Sequence, residues 1–486
     1  MDETCLLNYL LKLHFLPHHA VMKQLFTNTR IAGSRPLFSG GLPVVAASMV
    51  AGVLGYFALP VEPNLPLVAG LSILVALLAG ISWRWWSFRG GVVLGVLALS
   101  LLGATYATWR TQLVQTHFWA ANDSGVSWGV YWLRGTLEST RDLPDSTVSA
   151  LTLRDVTVYS QPPTTATRLT LFVHTSRLDE DTIPGAQIAA QARISPPGVP
   201  LYPGAQVDWR RQSFFRGEVG SGLVMGEFYA TRPYLPTWQY RLQHWREQEA
   251  RQLAAHGPAG GVLAALLTGV RTFIPAPLRQ AYRQSGLAHL MAISGMHLGM
   301  LAAAVYLLAR LLLCLWPPLP LRYDIRKPAA VLAIAATLAY AAMAGGSIPT
   351  LRASAMVIAI FLGILTNRLH LSVRILSLAA LGLLLWRPQV VAGPSFLLSF
   401  AAALALITWA HQRRQWQPEA GQSTSLGYKL KTLMAVSVTA TLATAPIAAW
   451  FFGTVALAGI LANMVAIPLL GLLILPFGFL GLLFGR

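Results

Sequence analysis

Charge is what this 486-residue chain has least of: 11% of its residues are Asp, Glu, Lys or Arg, where soluble domains carry roughly 25%. Beside a hydrophobic share of 55%, that shortfall excludes a disordered chain, a coiled coil and an ordinary soluble enzyme. Cysteine is nearly absent as well. Cys5 and Cys314 are the only two, and neither belongs to a CxxC pair. They build no disulfide scaffold and no thiolate zinc site. No GxxxxGK[ST] loop occurs, so the chain carries no P-loop motor of its own. From Leu287 onward there are two acids, Asp324 and Glu419; a basic side chain entering the membrane there has almost no carboxylate to pair with.

What the chain does have is long apolar runs, the mark of a polytopic α-helical membrane protein. They lie at 42–59, 65–82 and 90–109, then at 287–316, 328–344, 350–366, 375–386, 395–410, 433–452 and 456–484. About ten membrane segments are expected, some of them re-entrant. The last run contains Pro468 and Pro476 and reads as two half-helices. Residues 1–41 mix charges, histidines and prolines, unlike a cleaved signal peptide.

The positive-inside rule orients these segments. Lys12, Lys23, Arg30 and Arg35 precede the first run, and Arg84 and Arg89 follow the second. Arg322, Arg326, Lys327, Arg368, Arg374, Arg413, Arg414, Lys429 and Lys431 fall in alternate later loops. The intervening loops near 345–349 and 387–394 are nearly uncharged. One topology satisfies them all, with the N-terminus cytoplasmic and residues 110–236 outside. This sorting accounts for most of the formal net charge of +18, so bulk basicity says little about a ligand.

Between the two sets of runs the composition changes. Residues 110–258 hold 14 Arg, 13 Asp or Glu and no Lys. Runs rich in β-branched and aromatic residues at 130–139, 148–160, 168–175, 186–194 and 223–231, separated by Gly and Pro, predict a small extracytoplasmic β-barrel of OB type at 110–236. Such barrels stack bases on aromatics beside Arg. Tyr159, Phe172, Trp209, Phe214, Phe215 and Tyr229, with Arg210, Arg211 and Arg216, are the candidates; the competing reading makes the aromatics barrel core. A polar helix with Trp238, Leu242, Trp245 and Leu253 follows at 237–258. It reads as an amphipathic helix at the membrane surface, or as a solvated connector.

Two segments of the apolar half carry chemistry. Residues 285–299, SGLAHLMAISGMHLG, place His289, Ser294, Gly295 and His297 in a hydrophobic run. Polar residues at membrane depth are costly and mark function, and Ser294-Gly295 predicts a helix break whose exposed N–H groups attract anions. Helix–helix hydrogen bonding is the bland alternative. Residues 345–352, GGSIPTLR, put Ser347 at a cap, Pro349 in the first turn and Arg352 beside it. With no acid near, Arg352 requires carbonyls, water, lipid headgroups or a phosphate. No metal cluster and no cofactor motif is present.

The run ALLTGVRTFIPAPLRQAYRQSGLAHLMAISGMHLG resembles the signature of the ComEC-type competence proteins, bacterial DNA-uptake channels. PTLRASAM, PSFLLSF and LANMVAIPLLGLLILP match later blocks, and PGAQVDWRRQSFFRGEVGSG resembles a run of that family's outer OB-like domain. The resemblance implies a 259–486 channel domain that admits single-stranded DNA during natural transformation. It carries over Gly286, His289, Ser294, Gly295, His297, Gly299, Pro349, Arg352, Pro394, Ser399, Phe400, Asn463 and Pro468. Arg271, Arg279 and Arg283 would form an outer funnel. Relatives usually carry an acid where Val270 stands. Many also continue into a metallo-β-lactamase-like nuclease domain, and no HxHxDH run occurs here. The chain is therefore expected to be a conduit rather than an enzyme, in contact with membrane lipids. It would work with a DNA receptor and pilus machinery outside, a separate nuclease, and cytosolic strand-binding or motor proteins. Two other functions remain open: transport of a different anion, and a membrane hydrolase with Ser294 as nucleophile and His297 or His289 as base.

Overall fold

The computed structural model describes residues 41–59, 61–85, 88–115, 129–142, 147–159, 164–179, 181–195, 209–231, 238–291, 293–316, 318–366, 373–416 and 426–484. Among the described residues three helices come first: α1 (Gly41–Ala58), α2 (Leu65–Trp85) and α3 (Phe88–Gln115). Gly52 and Gly103 let α1 and α3 touch: a Cβ on Gly52 would run into the Ser100 carbonyl, and one on Gly103 into that of Met49. Small residues at such crossings let backbones approach, which is where membrane helices gain their packing. Leu67, Ile73, Leu74 and Leu77 of α2 are exposed, as befits a helix that faces lipid.

Five strands follow: β1 (Gly129–Asp142), β2 (Val148–Tyr159), β3 (Thr164–His174), β4 (Gln187–Ser195) and β5 (Glu218–Thr231). They close a barrel in the order β1-β2-β3-β5-β4, with β3 and β5 parallel and the other pairs antiparallel. That order is the five-stranded Greek-key arrangement of an OB barrel. Register stacks the interior: Leu137, Leu153 and Leu169 lie side by side across three strands. These three, with Leu133, Leu151, Leu171 and Ile188, have almost no exposed surface. Each such burial stabilises by roughly 1.5–3 kcal/mol. The core is aliphatic. Tyr159 and Tyr229 stand outside the barrel, more than half exposed, which corrects the reading of those two as core. A short helix, α4 (Trp209–Arg216), links β4 to β5.

The remaining helices are α5 (Trp238–Ala254), α6 (Pro258–Thr268), α7 (Ala276–Gln284), α8 (Gly295–Cys314), α9 (Pro318–Arg322), α10 (Arg326–Met343), α11 (Ile348–Leu365), α12 (Val373–Trp386), α13 (Pro394–Trp416), α14 (Leu426–Phe452), α15 (Gly459–Leu469) and α16 (Leu475–Phe484). Among the described residues seven helical stretches are long and apolar enough to cross a membrane, and residues 258–268, 349–365 and 373–386 form shorter apolar helices. The protein is a membrane-embedded helical bundle carrying a β-barrel.

The last apolar run is not two half-helices. A π-helical turn at Leu470–Ile474 joins α15 to α16 without a gap. Pro468 cannot donate a backbone hydrogen bond, and the wider i→i+5 winding just after it absorbs the mismatch.

α8, α10 and α11 pack through Leu298, Ala302, Ala333, Ala353, Val357 and Phe361. α1, α3, α12 and α13 share Val53, Ala107, Leu384 and Phe396. α6 joins the C-terminal helices through Leu267, Leu470 and Leu475.

Candidate functional site

Three chain breaks converge within the bundle. α6 ends at Gly269, whose φ of +78 is left-handed. Only glycine enters that conformation without strain, and a Cβ there would lie 2.7 Å from the Ala344 carbonyl and 3.4 Å from Ile293 Cδ1. Gly269 thus joins the end of α6 to the break before α8 and to the turn that follows α10. The Tyr340 hydroxyl fixes the arrangement by donating to the Leu266 carbonyl at 2.6 Å.

The break before α8 falls where the sequence predicts it. A 3-10 turn at Ala288–Met291 ends, and α8 begins at Gly295 with Ser294 as its N-cap. The backbone N–H of Ser294 donates to His297 Nδ1 at 3.1 Å. An accepting Nδ1 leaves the proton of a neutral imidazole on Nε2. His297 is fully buried, and Nε2 meets no partner. It is therefore a waiting donor and not a base for Ser294, whose buried Oγ is also unpartnered. His289 turns elsewhere, its Nδ1 3.1 Å from the Gly286 carbonyl.

The third break lies between α10 and α11. Ser347 occupies the N-cap of α11 and Pro349 its first turn. The Ser347 hydroxyl pairs with the Thr350 hydroxyl at 2.7 Å and makes no backbone cap, a correction to its expected role. A side-chain partner one turn away competes with the backbone for the same hydroxyl. Arg352, at the start of the second turn, is 6% exposed. Its Nε and Nη1 have no partner among the described residues. Burying a guanidinium in this state costs several kcal/mol. A Cβ on Gly295 would lie 3.8 Å from Ala353 Cβ, so the starts of α8 and α11 stand side by side. Ser294, His297 and Arg352 are gathered at two adjacent helix N-termini, where the backbone dipoles favour negative charge.

Sequence reasoning missed Arg246. It stands on α5, which packs along α6 and α10. Its guanidinium presses so close to Gly345 that a Cβ there would collide with Nη1. Gly345 itself has a φ of +75, a second reason for glycine. Arg246 is half-buried with Nε unpartnered, and that burial pushes its guanidinium below its ordinary range, offset in part by Glu247. Nothing in its polar helix distinguished it, because only the fold brings it to the break.

Other motif residues have packing roles. Gly286, with a φ of +75, abuts Gly459: a Cβ would lie 2.7 Å from the Gly459 Cα. Asn463, one turn further on α15, keeps a buried Oδ1 without partner. Phe400 stacks on Phe396 at 4.1 Å, and Pro394 opens α13. Gly299 has no neighbour within 4 Å of a built Cβ. Val270 donates its backbone N–H to the Thr268 hydroxyl at 3.3 Å. Arg271, Arg279 and Arg283 lie on α7 and the turn before it, which dock through Ile274, Leu278 and Tyr282; Arg271 and Arg283 are exposed.

In α4 the aromatics turn toward the bundle instead of the barrel surface. Phe215 meets Phe214 at 5.1 Å and Phe57 of α1 at 5.7 Å, both edge to face. Arg211 lies over the Phe57 ring at 5.2 Å. The side chains of Trp209 and Arg210 lie outside the described residues. Phe172 is half-buried on β3. Among the described residues no group of three or more His, Cys, Asp or Glu converges to hold a metal ion.

Residues 266–485 match the family described as "Competence protein". The chain is 30% identical over 226 residues to "Recombination protein 2" of Haemophilus influenzae, covering 44% of this chain and 27% of that one. It is 32% identical over 251 residues to "Competence protein ComA" of Neisseria gonorrhoeae, covering 51% and 34%. To "ComE operon protein 3" of Bacillus subtilis it is 29% identical over 224 residues, covering 46% and 26%. The matched stretches thus span about a quarter to a third of these relatives. No solved structure matches.

Proposed function

We propose that the chain is a competence protein of the ComEC type that takes part in DNA uptake during transformation, as a plasma-membrane conduit for a single DNA strand; the support is its match over residues 266–485 to the competence-protein family. One observation carries the reading: Arg352 is buried at a helix start with two nitrogens unpartnered. A protein that holds a desolvated cation without a carboxylate has reserved it for an anion that comes and goes. His297 Nε2–H and Ser294 Oγ add neutral donors, and Arg246 adds a second guanidinium. Together they are a phosphate-contacting constriction, with backbone N–H groups of α8 and α11 behind it. Mobile phosphodiesters would satisfy each donor in turn, so the desolvation cost is offset only while a strand passes.

In this reading the barrel lies outside the membrane, above the ends of α1, α3 and α12, and the N-terminus is cytoplasmic. Arg271, Arg279 and Arg283 gather the strand ahead of the constriction. Exposed Tyr159 and Tyr229 offer faces on which bases stack. A receptor and pilus machinery deliver DNA, a separate nuclease removes the complementary strand, and cytosolic proteins draw the strand inward.

The hydrolase reading is weaker, since His297 presents a protonated nitrogen and not a base. The test is transformation frequency in strains carrying Arg352→Ala or Arg352→Lys at wild-type membrane levels. Arg352→Ala is expected to lower it at least a hundredfold and Arg352→Lys less, because the point charge survives while the fork does not. Unchanged uptake in Arg352→Ala refutes the constriction.

A further inference from the structure

A second cluster of positive charge lies apart from the constriction, at the seam between the barrel and the bundle. A cleft of about 250 Å³ is lined by Arg110 and Val114 of α3, Arg168 of β3, Phe215 and Arg216 of α4, and Arg387 and Gln389 beyond α12. Four guanidiniums from four separate elements meet there.

Two of the four are already compensated. Arg168 makes a bidentate pair with Glu138, at 2.7 and 2.6 Å, and gives its remaining nitrogen to the Arg216 carbonyl at 3.0 Å. Arg216 lies 3.9 Å from Glu218. Arg110 and Arg387 have no carboxylate within 4 Å among the described residues. Arg110 reaches only the Trp386 carbonyl, at a weak 3.4 Å. Arg387 lies over the Trp386 ring at 4.7 Å. The cleft therefore keeps two uncompensated cations, side by side in a fold that had carboxylates to spare for their neighbours. Burial first, then the charges of Arg168 and Arg110, push the Arg387 guanidinium down from its ordinary value, as expected of a site that lacks its anion.

We propose that this seam is a phosphodiester-binding pocket for a single nucleic-acid strand, in which Arg110 and Arg387 grip consecutive backbone phosphates and Phe215 and Gln389 face the adjoining nucleotide. The proposal rests on the conduit reading and adds a site upstream of Arg352. The lining favours a strand over a lipid headgroup. A lipid brings acyl chains, and only Val114 and Phe215 offer them apolar surface. Arg168, locked by Glu138, positions the cleft without adding net charge. The pocket also spans the joint between barrel and bundle, so an occupied pocket would couple the barrel to the bundle ends beneath it.

The test uses the full chain in nanodiscs and a fluorescent oligothymidylate, with affinity measured against salt concentration. In Arg110→Gln/Arg387→Gln the affinity is expected to fall roughly tenfold or more. The slope of log affinity on log salt should shrink by about 1.4, since each phosphate of a single strand that is no longer neutralised removes about 0.7. Arg387→Lys, which preserves charge and packing, should keep most of the slope. Arg352→Ala removes a phosphate contact of the constriction, so transformation should fall while the part of the salt slope that depends on Arg110 and Arg387 persists, which separates failure of the pocket from failure of the conduit. Unchanged affinity and slope in the double variant overturn the pocket. So does loss of co-purifying anionic lipid in that variant with oligonucleotide binding intact, which would assign the arginines to headgroups.

Discussion

The barrel and the bundle treat the same side chain in opposite ways. On the barrel wall Arg168 is tied to Glu138 by two short hydrogen bonds, above a core whose fully buried residues are aliphatic. In the bundle Arg352, His297, Ser294 and Asn463 all keep buried polar atoms without partners. A barrel that only had to be stable would satisfy every polar group, and this one nearly does. A bundle that only had to be stable would not bury an unpartnered guanidinium, because each buried donor left unmade costs about 1–3 kcal/mol. The difference is one of placement: the barrel satisfies nearly all its polar groups, and unfilled hydrogen-bonding capacity is kept in the bundle, beside the breaks at 293–295 and 344–347.

That contrast can be broken at several points. The largest effect on stability is expected inside the barrel. Leu153 is fully buried between Leu137 and Leu169, so Leu153→Ala should cost about 2–5 kcal/mol. The measurement is the protease resistance of the barrel, with helical content unchanged by circular dichroism. Destabilisation of the whole chain would show that barrel and bundle fold as one cooperative unit. Next comes Gly286→Ala. It places a Cβ against the Gly459 backbone at a positive φ, a strain of about 1–3 kcal/mol. The expected result is a fall in folded membrane protein with the barrel intact. The smallest effect sharpens the comparison. Glu138→Gln removes the carboxylate that holds Arg168, a pair in which both side chains are over a third exposed, so stability should drop by about 0–1 kcal/mol. Arg168 then becomes a third free cation in the seam, and oligothymidylate affinity should rise a few-fold at low salt. A fall in affinity would mean that the pair positions the cleft more than it neutralises it.

Much of this was legible in the chain. Period-two runs of β-branched residues placed β1, β2 and β4 nearly to their ends, because a half-buried pleat writes its alternation into sequence, whereas β3 starts at Thr164, four residues before the expected 168. The fifth was legible only in part: β5 begins at Glu218, five residues before the expected start, since Gly220, Ser221 and Gly222 carry no β signal, and Ser221 and Gly222 are held by pairing with β3 and β4. The break at Ser294-Gly295 was legible because polar groups at membrane depth are kept only against a cost, and a small residue beside one interrupts the apolar run. The joint at 470–474 was not: two prolines read as an interruption, and a π turn just after Pro468 carries the helix on instead.

Composition alone settled that the protein lives in a membrane and that Arg352 has almost no acid to meet, since both follow from counting residues against the cost of desolvation. Which cations stand together is a different kind of fact. Arg246 reaches Gly345 across about a hundred residues of chain, and Arg110, Arg168, Arg216 and Arg387 come from four elements. Their spacing in sequence carries no trace of this, because a close approach of backbones at Gly269, Gly286 and Gly52, and the closure of a barrel onto α1 and α3, fix those distances only once the whole chain has packed.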